Sequence, residues 1–556
     1  MSGPAQRRIR EKKSREISQG ESGSINNGPG RARDLGEILE GLNYQASRET
    51  GRVGISSVTA DSRSVTSGSL FVAIQGETVD GHDFIEAAVA GECAAVLVEK
   101  GRSEGLSGSS TVVVEVEDTR LALGPVAAAF FGHPAREMKL VGITGTNGKT
   151  TTAYLLEAVI AEEGGCPGII GTVNYRYLGR EMPAPFTTPE PVALHGLLRR
   201  MADAGVSHVV MEVSSHSLSQ ARLKGIEYDV ALFTNLTRDH LDFHGNMKSY
   251  FDSKKMLFTE LLKKGGKAVV VRSGHAHGGE KERKYDWGER LLKELQGDIF
   301  DRSLEVISCG RRAGCHITAS RFHSDFQGVR AEVRTPRGNF SLTSPLVGEF
   351  NLQNLLAATG AGIALGIHPQ VIKKALAKAT GAPGRLERVH TGDSEIFVDY
   401  AHTPDALENV LISLRGLGPE RLIVVFGCGG DRDAGKRPEM GRIAAQLADG
   451  VLLTSDNPRS ESPDRILSQI ERGVGALPVK RMRAEVFLRQ GWHGCYDVIR
   501  SRREAIRVAV RYARKGDVVA ICGKGHERYQ IVKGKKVFFD DRLEAENSVN
   551  GAGGAP

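Results

Sequence analysis

Short apolar runs alternate with longer, helix-like segments along most of this chain, a pattern that predicts an α/β protein built on parallel sheets. The pattern divides the chain into a small α/β domain at 34–138, a second α/β domain at 139–380 and a third at 381–545. The last break falls at the sequence GAPGR, and the strands after it alternate with helices as in a doubly wound sheet. The predicted strands lie at 69–74, 94–99, 111–116, 140–143, 207–213, 229–236, 267–271, 396–400, 421–427, 450–456 and 517–523.

Three stretches depart from this pattern. Residues 1–33 are basic and rich in Ser and Gly, and they lack the apolar core of a secretory signal, so we expect a disordered tail. The stretch 272–305 is charged and irregular, which predicts a surface excursion, and 546–556 predicts a second, frayed tail. No run approaches the ~20 apolar residues of a membrane-spanning helix.

Composition narrows the class of protein. The chain has 556 residues, enough for about three or four domains, and its 40% hydrophobic and 25% charged residues are ordinary for a globular protein. The net charge of +7, from 74 basic and 67 acidic residues, suits a small anionic substrate such as a nucleotide. It is too small and too dispersed to indicate nucleic-acid binding.

The seven cysteines are scattered, and their odd number without C-x-x-C spacing predicts reduced thiols and a cytoplasmic location. The only near cluster is Cys309 with Cys315 and His316. Its strand-like neighbours favour plain packing over a metal site.

The sequence GITGTNGKTTT, at 142–152, follows the apolar run 140–143 and precedes a helix-like segment. Strand, glycine loop, Lys-Thr and helix together form a cradle for nucleotide phosphates, because loop and helix N–H groups point at the anion. In such a loop, Lys149 can reach the β- and γ-phosphates, and Thr150 can offer its hydroxyl to Mg²⁺.

The match departs from the strict phosphate-loop pattern. Ile143 stands five residues before Gly148, where that pattern has glycine, and the first loop glycine is Gly145. The result is a tighter G-x-x-G-K-T loop. The alternative is a glycine turn that carries a lysine by chance.

Two further segments follow predicted strands and carry possible metal ligands. MEVSSH brings Glu212, and NLTRDHLDFHG brings His240. A carboxylate and an imidazole beyond neighbouring strands can hold Mg²⁺ against phosphates. The helix-like SYFDSKKMLF adds Lys254 and Lys255. Taken singly, Glu212 could cap a helix, His240 could be a core histidine and Lys254 could be solvated.

Four polar motifs follow predicted strands of the third domain: YAHTPD, CGGDRD, DNPR and GKGHE. Ligands of doubly wound sheets collect beyond the carboxyl ends of the strands. Four such motifs in this position therefore predict a binding site.

Nine motifs in series resemble those of the Mur ligase family, over about residues 50–545. They are GTNGKTTT, TTPE, EVSSH, TNLTRDHLDFHG, GRLE, DYAHTPD, GGDRD, SDNPR and GKGHE. The resemblance implies a small N-terminal α/β domain, a central P-loop ATPase domain with a parallel sheet and a C-terminal Rossmann-like doubly wound domain. It also implies an ATP- and Mg²⁺-dependent amide ligase of peptidoglycan precursor synthesis. ATP would phosphorylate a D-glutamyl γ-carboxylate, and an amine would attack the acyl phosphate.

The resemblance assigns the nucleotide and metal sites residue by residue. Catalytic roles fall on Lys149, Glu212, His240 and a carbamylated Lys254, with Lys255 as the competing lysine, and metal contacts fall on Thr150, Glu212, His240 and Lys254. Adding CO₂ would turn an ammonium that repels Mg²⁺ into a carboxylate that can orient it. The implied ATP-binding residues are Gly145, Thr146, Asn147, Gly148, Lys149, Thr150, Thr151 and His402. Asp405 belongs to the same nucleotide-contacting loop as His402.

The resemblance also implies a binding site for a UDP-linked muramoyl dipeptide. In the first domain its residues are Ser62, Glu77, Thr78 and Val79, and in the second they are Thr187, Thr188, Ser214, Gln220 and Arg222. Phe186 stands where some members carry Asn, so a side-chain hydrogen bond is lost or replaced there.

The third domain resembles that of members that add meso-diaminopimelate. Arg459 can bind the distal carboxylate of that amino acid with a bidentate fork, while Asp456 and Glu527 can hold its ammonium. Lysine has no distal carboxylate, so an arginine at this position would have no group of that substrate to bind. The complete implied set is Arg432, Asp456, Asn457, Pro458, Arg459, Gly523 and Glu527.

Two other functions remain open at this point. One is a sister ligase that adds lysine or resembles the folylpolyglutamate enzymes, and the other is a non-catalytic binding protein. The DNPR motif argues against the lysine form, and the full first domain argues against the folate type. We expect small-molecule substrates, no nucleic acid, no membrane span and a monomer.

Overall fold

The computed structural model describes residues 32–76, 79–103, 110–272, 286–297, 304–389 and 394–552. The chain forms two compact units. The first consists of Met1–Met138, Pro189–Gly205 and Gln220–Ile226, and the second of Lys139–Thr188, Val206–Ser219 and Glu227–Pro556. Most of the predicted N-terminal tail lies outside the described residues, as do Glu77 and Thr78.

A five-stranded sheet forms the centre of the first unit. All neighbouring strands are parallel except the outermost pair, Gln45–Ala46 with Val112–Val116. The three strands predicted for this region are present, and the helix Thr119–Phe130 packs its apolar side into the same core. In spatial order the strands are Gln45–Ala46, Val112–Val116, Ala95–Glu99, Ser69–Val72 and Ser57–Thr59. The helices are Leu35–Ile38, Ile85–Ala90, Thr119–Phe130 and Pro191–Asp203, and 3₁₀ turns lie at Ser62–Ser64, Gly81–Phe84 and Pro134–Glu137. A separate two-stranded sheet pairs Arg33–Asp34 with Gly54–Ile55.

The second unit contains an eleven-stranded sheet whose centre is parallel, as the apolar runs predict. Antiparallel hairpins, which the sequence analysis did not predict, extend it at both edges. The order is Arg180–Pro183, Asn174–Tyr177, Pro167–Ile170, His208–Glu212, Lys139–Thr144, Tyr228–Phe233, Leu262–Val271, Glu305–Gly310, Ile317–Asp325, Gly328–Thr335 and Gly338–Ser344.

The helix Lys149–Glu162 packs against the long helix Glu349–Ala364. The second helix is rich in small residues, and this allows it to lie close to the sheet, since a Cβ on Gly360 would be 2.6 Å from Cys309 Sγ in the strand Glu305–Gly310. The other helices around this sheet are Ser215–Ser219, Leu241–His244, Met247–Thr259, Trp287–Gln296 and Pro369–Leu376.

The predicted doubly wound sheet is present after residue 381, with hydrophobic clusters on both of its faces. Its order is Glu387–Val389, Glu395–Asp399, Val518–Cys522, Leu422–Phe426, Gly450–Leu453, Cys495–Val498 and Lys480–Arg481. Only the first pair is antiparallel. The helices are Pro404–Arg415, Lys436–Leu447, Pro463–Val474, Ala484–Gln490, Arg502–Arg511 and Asp541–Ala552, and a separate hairpin joins Tyr529–Val532 to Lys535–Phe538.

The C-terminal helix corrects one prediction. Residues 546–552, expected to be a frayed tail, belong to the helix Asp541–Ala552. A fully buried ion pair anchors this helix. Arg502 Nη2 donates to Asp541 Oδ2 at 2.6 Å and to the carbonyl oxygen of Cys522 at 2.9 Å.

The predicted excursion at 272–305 is only partly irregular. It contains the helix Trp287–Gln296, whereas 273–285 and 298–303 lie outside the described residues. All seven cysteines are free thiols, and Cys309 and Cys315 are buried. Among the helices that the structure describes, none is long and apolar enough to cross a membrane.

Candidate functional site

The phosphate loop connects the strand Lys139–Thr144 to the helix that begins at Lys149. Gly148 has a φ of +85°, and a Cβ at this position would collide with Asn354 Oδ1. Gly145 has a φ of +145°, and a Cβ there would collide with Thr234 Oγ1. Glycine is therefore required at both positions, by conformation and by close approach.

Lys149 is held over its own loop. Its Nζ donates to the carbonyl oxygens of Gly145 and Thr146, both at 2.9 Å. Desolvation lowers the pKa of Lys149, and the negative charges of Glu212 and Asp239 oppose this shift. A phosphate would offer this ammonium a charged acceptor in place of two neutral carbonyls.

Glu212 is buried at the end of its strand, with 1% of its surface exposed. Its Oε2 accepts hydrogen bonds from Thr150 Oγ1 at 2.9 Å and from Thr172 Oγ1 at 3.0 Å, while Oε1 accepts the Thr172 N–H at 2.9 Å. The pair of Thr150 hydroxyl and Glu212 carboxylate supplies the oxygen donors that Mg²⁺ prefers. Within the described ranges, no group of three or more His, Cys, Asp or Glu side chains is placed to hold a metal ion. Mg²⁺ fits the smaller donor set, because it takes one or two carboxylates together with substrate phosphates.

Lys254 and Lys255 occupy opposite environments. Lys254 is 2% exposed, its Nζ donates to the carbonyl oxygen of Gly145 at 3.0 Å, and it lies 4.5 Å from the centre of the Tyr250 ring. Desolvation, and then the positive charge of Lys149, lower its pKa well below the ordinary value. Lys255 instead pairs with Glu294 at 2.8 Å, and the pKa of Lys255 is raised, since its two carboxylate partners outweigh a partial desolvation.

His240 lies beside the same loop, with a φ of +52° at the start of the helix Leu241–His244. Its Nε2 is 3.4 Å from Asp239 Oδ2, and its ring is 4.8 Å from the ring of His216. Partial burial lowers the pKa of His240. A neutral imidazole keeps the lone pair that binds a metal.

Loops of the doubly wound sheet reach the phosphate loop. Asp405 Oδ2 accepts from Asn147 Nδ2 and from Thr237 Oγ1, both at 2.9 Å. Arg385 Nη2 lies 3.5 Å from Thr150 Oγ1, and its guanidinium lies 4.6 Å from the centre of the Tyr400 ring. Arg385 was not among the predicted site residues, although the motif GRLE that carries it was recognised.

A cavity of about 650 Å³ opens between these loops. The predicted ATP-binding residues Thr146, Asn147, Gly148, Lys149, Thr151 and His402 line it, together with His240 and Lys254. His402 Nδ1 lies 2.9 Å from the carbonyl oxygen of Tyr400. Asn354, Asn235 and Thr237 also line the cavity. None of the three was a predicted site residue, although Asn235 and Thr237 belong to the recognised motif TNLTRDHLDFHG.

A second cluster joins the DNPR and GKGHE motifs. Lys524 is fully buried, and its Nζ donates to Glu527 Oε2 at 3.0 Å and to Asn457 Oδ1 at 3.3 Å, with Asp456 Oδ1 at 3.9 Å. Asn457 Nδ2 also donates to Glu527 Oε2, at 2.8 Å. A Cβ on Gly523 would lie 2.7 Å from Asp456 Oδ2. The structure therefore brings together four of the predicted amino-acid-binding residues, around a lysine that was not predicted.

Arg459 borders this cluster in a left-handed conformation, with a φ of +52°. Its N–H donates to the carbonyl oxygen of Ile531 at 2.9 Å, and its own carbonyl accepts from the Lys533 N–H at 2.8 Å. The guanidinium donates from Nη1 to the carbonyl oxygen of Gly430 at 2.8 Å. Arg432, on the loop that contains Gly430, is exposed.

Tyr400 connects the two clusters. One of its neighbours is Arg385 at the nucleotide cavity, and its ring is also 5.1 Å from the ring of His526, within the GKGHE motif. A Cβ on Gly525 would lie 2.7 Å from Tyr400 Cβ, so glycine permits this contact.

The residues predicted to bind the UDP-linked substrate are divided between the units. Thr188 Oγ1, in the second unit, donates to the carbonyl oxygen of Glu212 at 2.8 Å and accepts the Ser214 N–H at 3.1 Å, and Thr187 Oγ1 is 3.1 Å from Thr172 Oγ1. Ser62, Val79, Gln220 and Arg222 belong to the first unit, although Gln220 and Arg222 were assigned to the central domain.

Two details of these residues can be read from the structure. Arg222 Nη2 pairs with Glu190 Oε1 at 3.0 Å and donates to Gln220 Oε1 at 2.6 Å. Phe186 is 52% exposed, and its carbonyl oxygen accepts the Tyr175 hydroxyl at 2.5 Å.

Comparison with known proteins adds independent information. Three family models match: "Mur ligase family, catalytic domain" at 54–131, "Mur ligase middle domain" at 143–362 and "Mur ligase, glutamate ligase domain" at 384–525. The UDP-N-acetylmuramoyl-L-alanyl-D-glutamate--2,6-diaminopimelate ligase of Geobacter metallireducens is 44% identical over 497 residues, which are 88% of this chain and 93% of the relative. The ligase of the same name from Geobacillus kaustophilus is 41% identical over 504 residues, 90% of this chain and 96% of the relative.

Solved structures give the same picture. A ligase structure of that name has a TM-score of 0.65 and 29% identity, and the match covers 94% of this chain and all of the other. A Mycobacterium tuberculosis folylpolyglutamate synthase complexed with ADP has a TM-score of 0.56 at 19% identity, and the match covers 73% of this chain and 91% of the other. The second likeness concerns the fold alone.

Proposed function

This chain belongs to the Mur ligase family, and we propose that it joins meso-diaminopimelate to UDP-N-acetylmuramoyl-L-alanyl-D-glutamate with conversion of ATP to ADP and phosphate. The observation that carries the proposal is that Tyr400 contacts both Arg385 at the phosphate-loop cavity and His526 in the GKGHE motif, whose charged cluster Arg459 borders. We further propose a cytoplasmic monomer.

In the first step, an oxygen of the γ-carboxylate of the D-glutamyl residue attacks the γ-phosphorus of ATP. The bond from that phosphorus to the bridging oxygen breaks, and ADP leaves. Phosphoryl transfer needs alignment and charge neutralisation more than covalent help. Lys149 and the loop N–H groups supply positive charge at the phosphates, and Asp405 holds Asn147 in place.

Bound Mg²⁺ would neutralise negative charge on the phosphates and the carboxylate, and Thr150, Glu212, His240 and carbamylated Lys254 would hold it. Lys254 is suited to carbamylation by its burial. A neutral amine attacks the carbon of CO₂ and loses a proton, and the lowered pKa of Lys254 favours the neutral amine. Lys255, with its raised pKa, lacks this property.

In the second step, the amine of meso-diaminopimelate attacks the acyl phosphate, and the tetrahedral intermediate collapses to an amide and phosphate, with loss of a proton from nitrogen. Arg459 would pair with the distal carboxylate of the amino acid. Asp456 and Glu527 would hold the distal ammonium. Both carboxylates lie within one hydrogen-bonded cluster, which supports this assignment.

A phosphate-release assay tests the proposal. The purified chain is given ATP, Mg²⁺ and the UDP-linked dipeptide with meso-diaminopimelate, with lysine or with no amino acid. We expect phosphate release in the sample with meso-diaminopimelate and none in the samples with lysine or with no amino acid. Release with lysine alone would instead identify the sister ligase, and no release with any acceptor would favour a non-catalytic binding protein.

A further inference from the structure

We infer that Arg437 and Glu461 form a positioning pair that locks two loops together and thereby sets the selectivity for the incoming amino acid. The first, the GGDR loop, is residues 429–432 and carries Arg432. The second, the DNPR loop, is residues 456–461 and carries Arg459. This inference rests on the proposed function, because it concerns how the proposed amino-acid-binding residues are held.

Arg437 is fully buried in the first turn of the helix Lys436–Leu447. Nη2 donates to Glu461 Oε1 at 2.8 Å and to the carbonyl oxygen of Gly429 at 3.0 Å. Nη1 donates to Glu461 Oε2 at 3.0 Å and to Gln469 Oε1 at 2.5 Å. One guanidinium therefore binds a carbonyl of the GGDR loop and the carboxylate that ends the DNPR loop.

Glu461, in the DNPR loop, also bonds to the GGDR loop. Its Oε1, besides accepting from Arg437, accepts the Asp431 N–H at 2.6 Å. Arg437 lowers the pKa of Glu461 to about 2, so the pair stays ionised across the pH range of an enzyme assay. Each member of the pair thus touches the GGDR loop as well as its partner.

The two loops are also bonded directly to each other. Ser460 Oγ donates to Asp431 Oδ1 at 2.6 Å, and the Ser460 N–H donates to Oδ2 at 3.1 Å. The Gly430 N–H donates to the carbonyl oxygen of Asn457 at 2.9 Å, and Arg459 Nη1 donates to that of Gly430 at 2.8 Å.

The spacing between the loops leaves no room for adjustment. A Cβ on Gly430 would collide with the carbonyl oxygen of Pro458, and one on Gly429 would lie 2.8 Å from Arg459 Nη1. Asp431 and Arg459 both adopt φ near +52°, a left-handed conformation that is unfavourable for non-glycine residues. Such a conformation persists only where surrounding contacts determine it. For Asp431 the contact comes from Glu461 in the opposite loop, whereas the backbone of Arg459 is held by Ile531 and Lys533 and its side chain by Gly430.

A buried ion pair is weak evidence of a role in stability, because desolvation offsets much of its attraction, but it can specify one arrangement of neighbouring groups. The Arg437–Glu461 pair fixes the separation of the loops that carry Arg432 and Arg459. If that separation changes, the guanidinium fork of Arg459 no longer matches a carboxylate of fixed position, whereas the phosphate loop has no contact with the pair among those described.

The experiment compares Glu461→Gln and Ser460→Ala with the wild-type chain, measuring the KM for each substrate separately. Glu461→Gln keeps the shape of the side chain but removes its charge. We expect the KM for meso-diaminopimelate to rise about tenfold or more, with the KM for ATP within about twofold of wild type and a lower preference for meso-diaminopimelate over lysine. Ser460→Ala removes an exposed hydroxyl and should raise the same KM about threefold.

Arg421 offers a matched control. It is a second buried arginine of the same domain, directly before the strand Leu422–Phe426, bonded from Nε to Asp517 Oδ1 at 3.0 Å, and it makes none of the contacts between the loops. Arg421→Lys should lower the Tm and leave both KM values unchanged. An equal rise of the amino-acid KM in Arg421→Lys, or unchanged values in a folded Glu461→Gln, would overturn the inference. If Glu461→Gln does not fold, Arg437→Lys, which keeps the charge but loses the two-pronged contact with Glu461, takes its place, and wild-type selectivity there overturns the inference.

Failure of the proposed function gives a different result. It appears in the wild-type chain, as phosphate release with an amino acid other than meso-diaminopimelate. The KM for that amino acid then replaces the KM for meso-diaminopimelate in the same variants, and a selective rise in Glu461→Gln still supports the positioning pair.

Discussion

The nucleotide cavity and the amino-acid cluster handle charge in opposite ways. At the phosphate loop, Lys149 and Lys254 both donate to the carbonyl oxygen of Gly145, and desolvation lowers the pKa of each. Among the described residues, neither ammonium has a carboxylate within 4 Å. In the amino-acid cluster, Lys524 already pairs with Glu527, and Arg437 with Glu461.

This difference suits two functions, phosphoryl transfer at the phosphate loop and selection of the amino acid around Arg459. Unpaired positive charge at the phosphate loop gains most from an arriving anion, and the gain is largest when the transferring phosphoryl group carries its greatest charge. Paired charges around Arg459 gain less from any single ligand but hold their geometry before it arrives, which is what discrimination between similar amino acids requires. Loss of positive charge should therefore affect kcat at the first site, whereas loss of a paired charge should affect KM at the second.

The largest effect is expected for Lys149→Ala. The variant loses the ammonium at the phosphates, so kcat should fall about a thousandfold. The Tm should change little, because the bonds of the ammonium within the described part of the chain all go to its own loop. Stopped-assay phosphate release and thermal unfolding measure the two quantities. Lys139→Ala, which removes an exposed lysine from the strand before the loop, is the control and should retain full activity. Substantial ligation by Lys149→Ala would contradict the role.

Lys254→Ala should reduce kcat about a hundredfold, because the carboxylate that would orient the metal is lost. Removing CO₂ from the assay should slow the wild-type chain and leave this variant unaffected. As the pH falls toward the lowered pKa of Lys254, the ammonium replaces the neutral amine, so CO₂-dependent activity should decline on the acidic side. Lys255→Ala is the control; an equal loss there would transfer the modification to the neighbouring lysine.

Arg459→Lys should lower kcat/KM for meso-diaminopimelate about tenfold, mainly through KM, because one point charge replaces a bidentate fork. Steady-state kinetics at saturating ATP test this. Arg481→Lys changes an exposed arginine that pairs with Glu471 and should have no effect. A fall in kcat alone would remove the contrast between the two sites.

The smallest effect is expected for Asp405→Ala, which removes the acceptor for Asn147 and Thr237. The KM for ATP should rise about fivefold, the cost of roughly 1 kcal/mol of lost hydrogen bonding. Asp464→Ala is a close match, since both aspartates follow a proline in the first turn of a helix and Asp464 pairs with exposed Arg500, its one ion-pair partner among the described residues. Equal KM values for the two variants would exclude a role of Asp405 at the nucleotide.

Much of the fold could be predicted because the central strands are buried on both faces and therefore appear as continuous apolar runs. The edge hairpin of Gly328–Thr335 and Gly338–Ser344 was not predicted, although burial alternates along each strand after its first residue and the sequence contains the matching period of two. An alternating strand lacks the continuous apolar run by which the central strands were predicted.

At the site, local motifs were easier to predict than the contacts between them. Lys149 and Thr150 follow from one short segment, whereas the approach of Arg385 to Thr150 joins residues 235 apart and depends on how two sheets pack. Arg437, which lies outside the recognised motifs, and Lys524, which lies within GKGHE, were not predicted as site residues for a related reason. In sequence, a buried arginine or lysine looks like an exposed one until its partners are known.

The ion pair between Arg502 and Asp541 has a practical implication for anyone producing this chain. Because Arg502 also donates to the carbonyl of Cys522, immediately before the GKGHE motif, the final helix helps to hold the end of the strand from which that motif begins. A version of the chain that ends before Asp541 would leave the buried guanidinium of Arg502 without its carboxylate partner. Purification tags are therefore better attached after the helix than substituted for it.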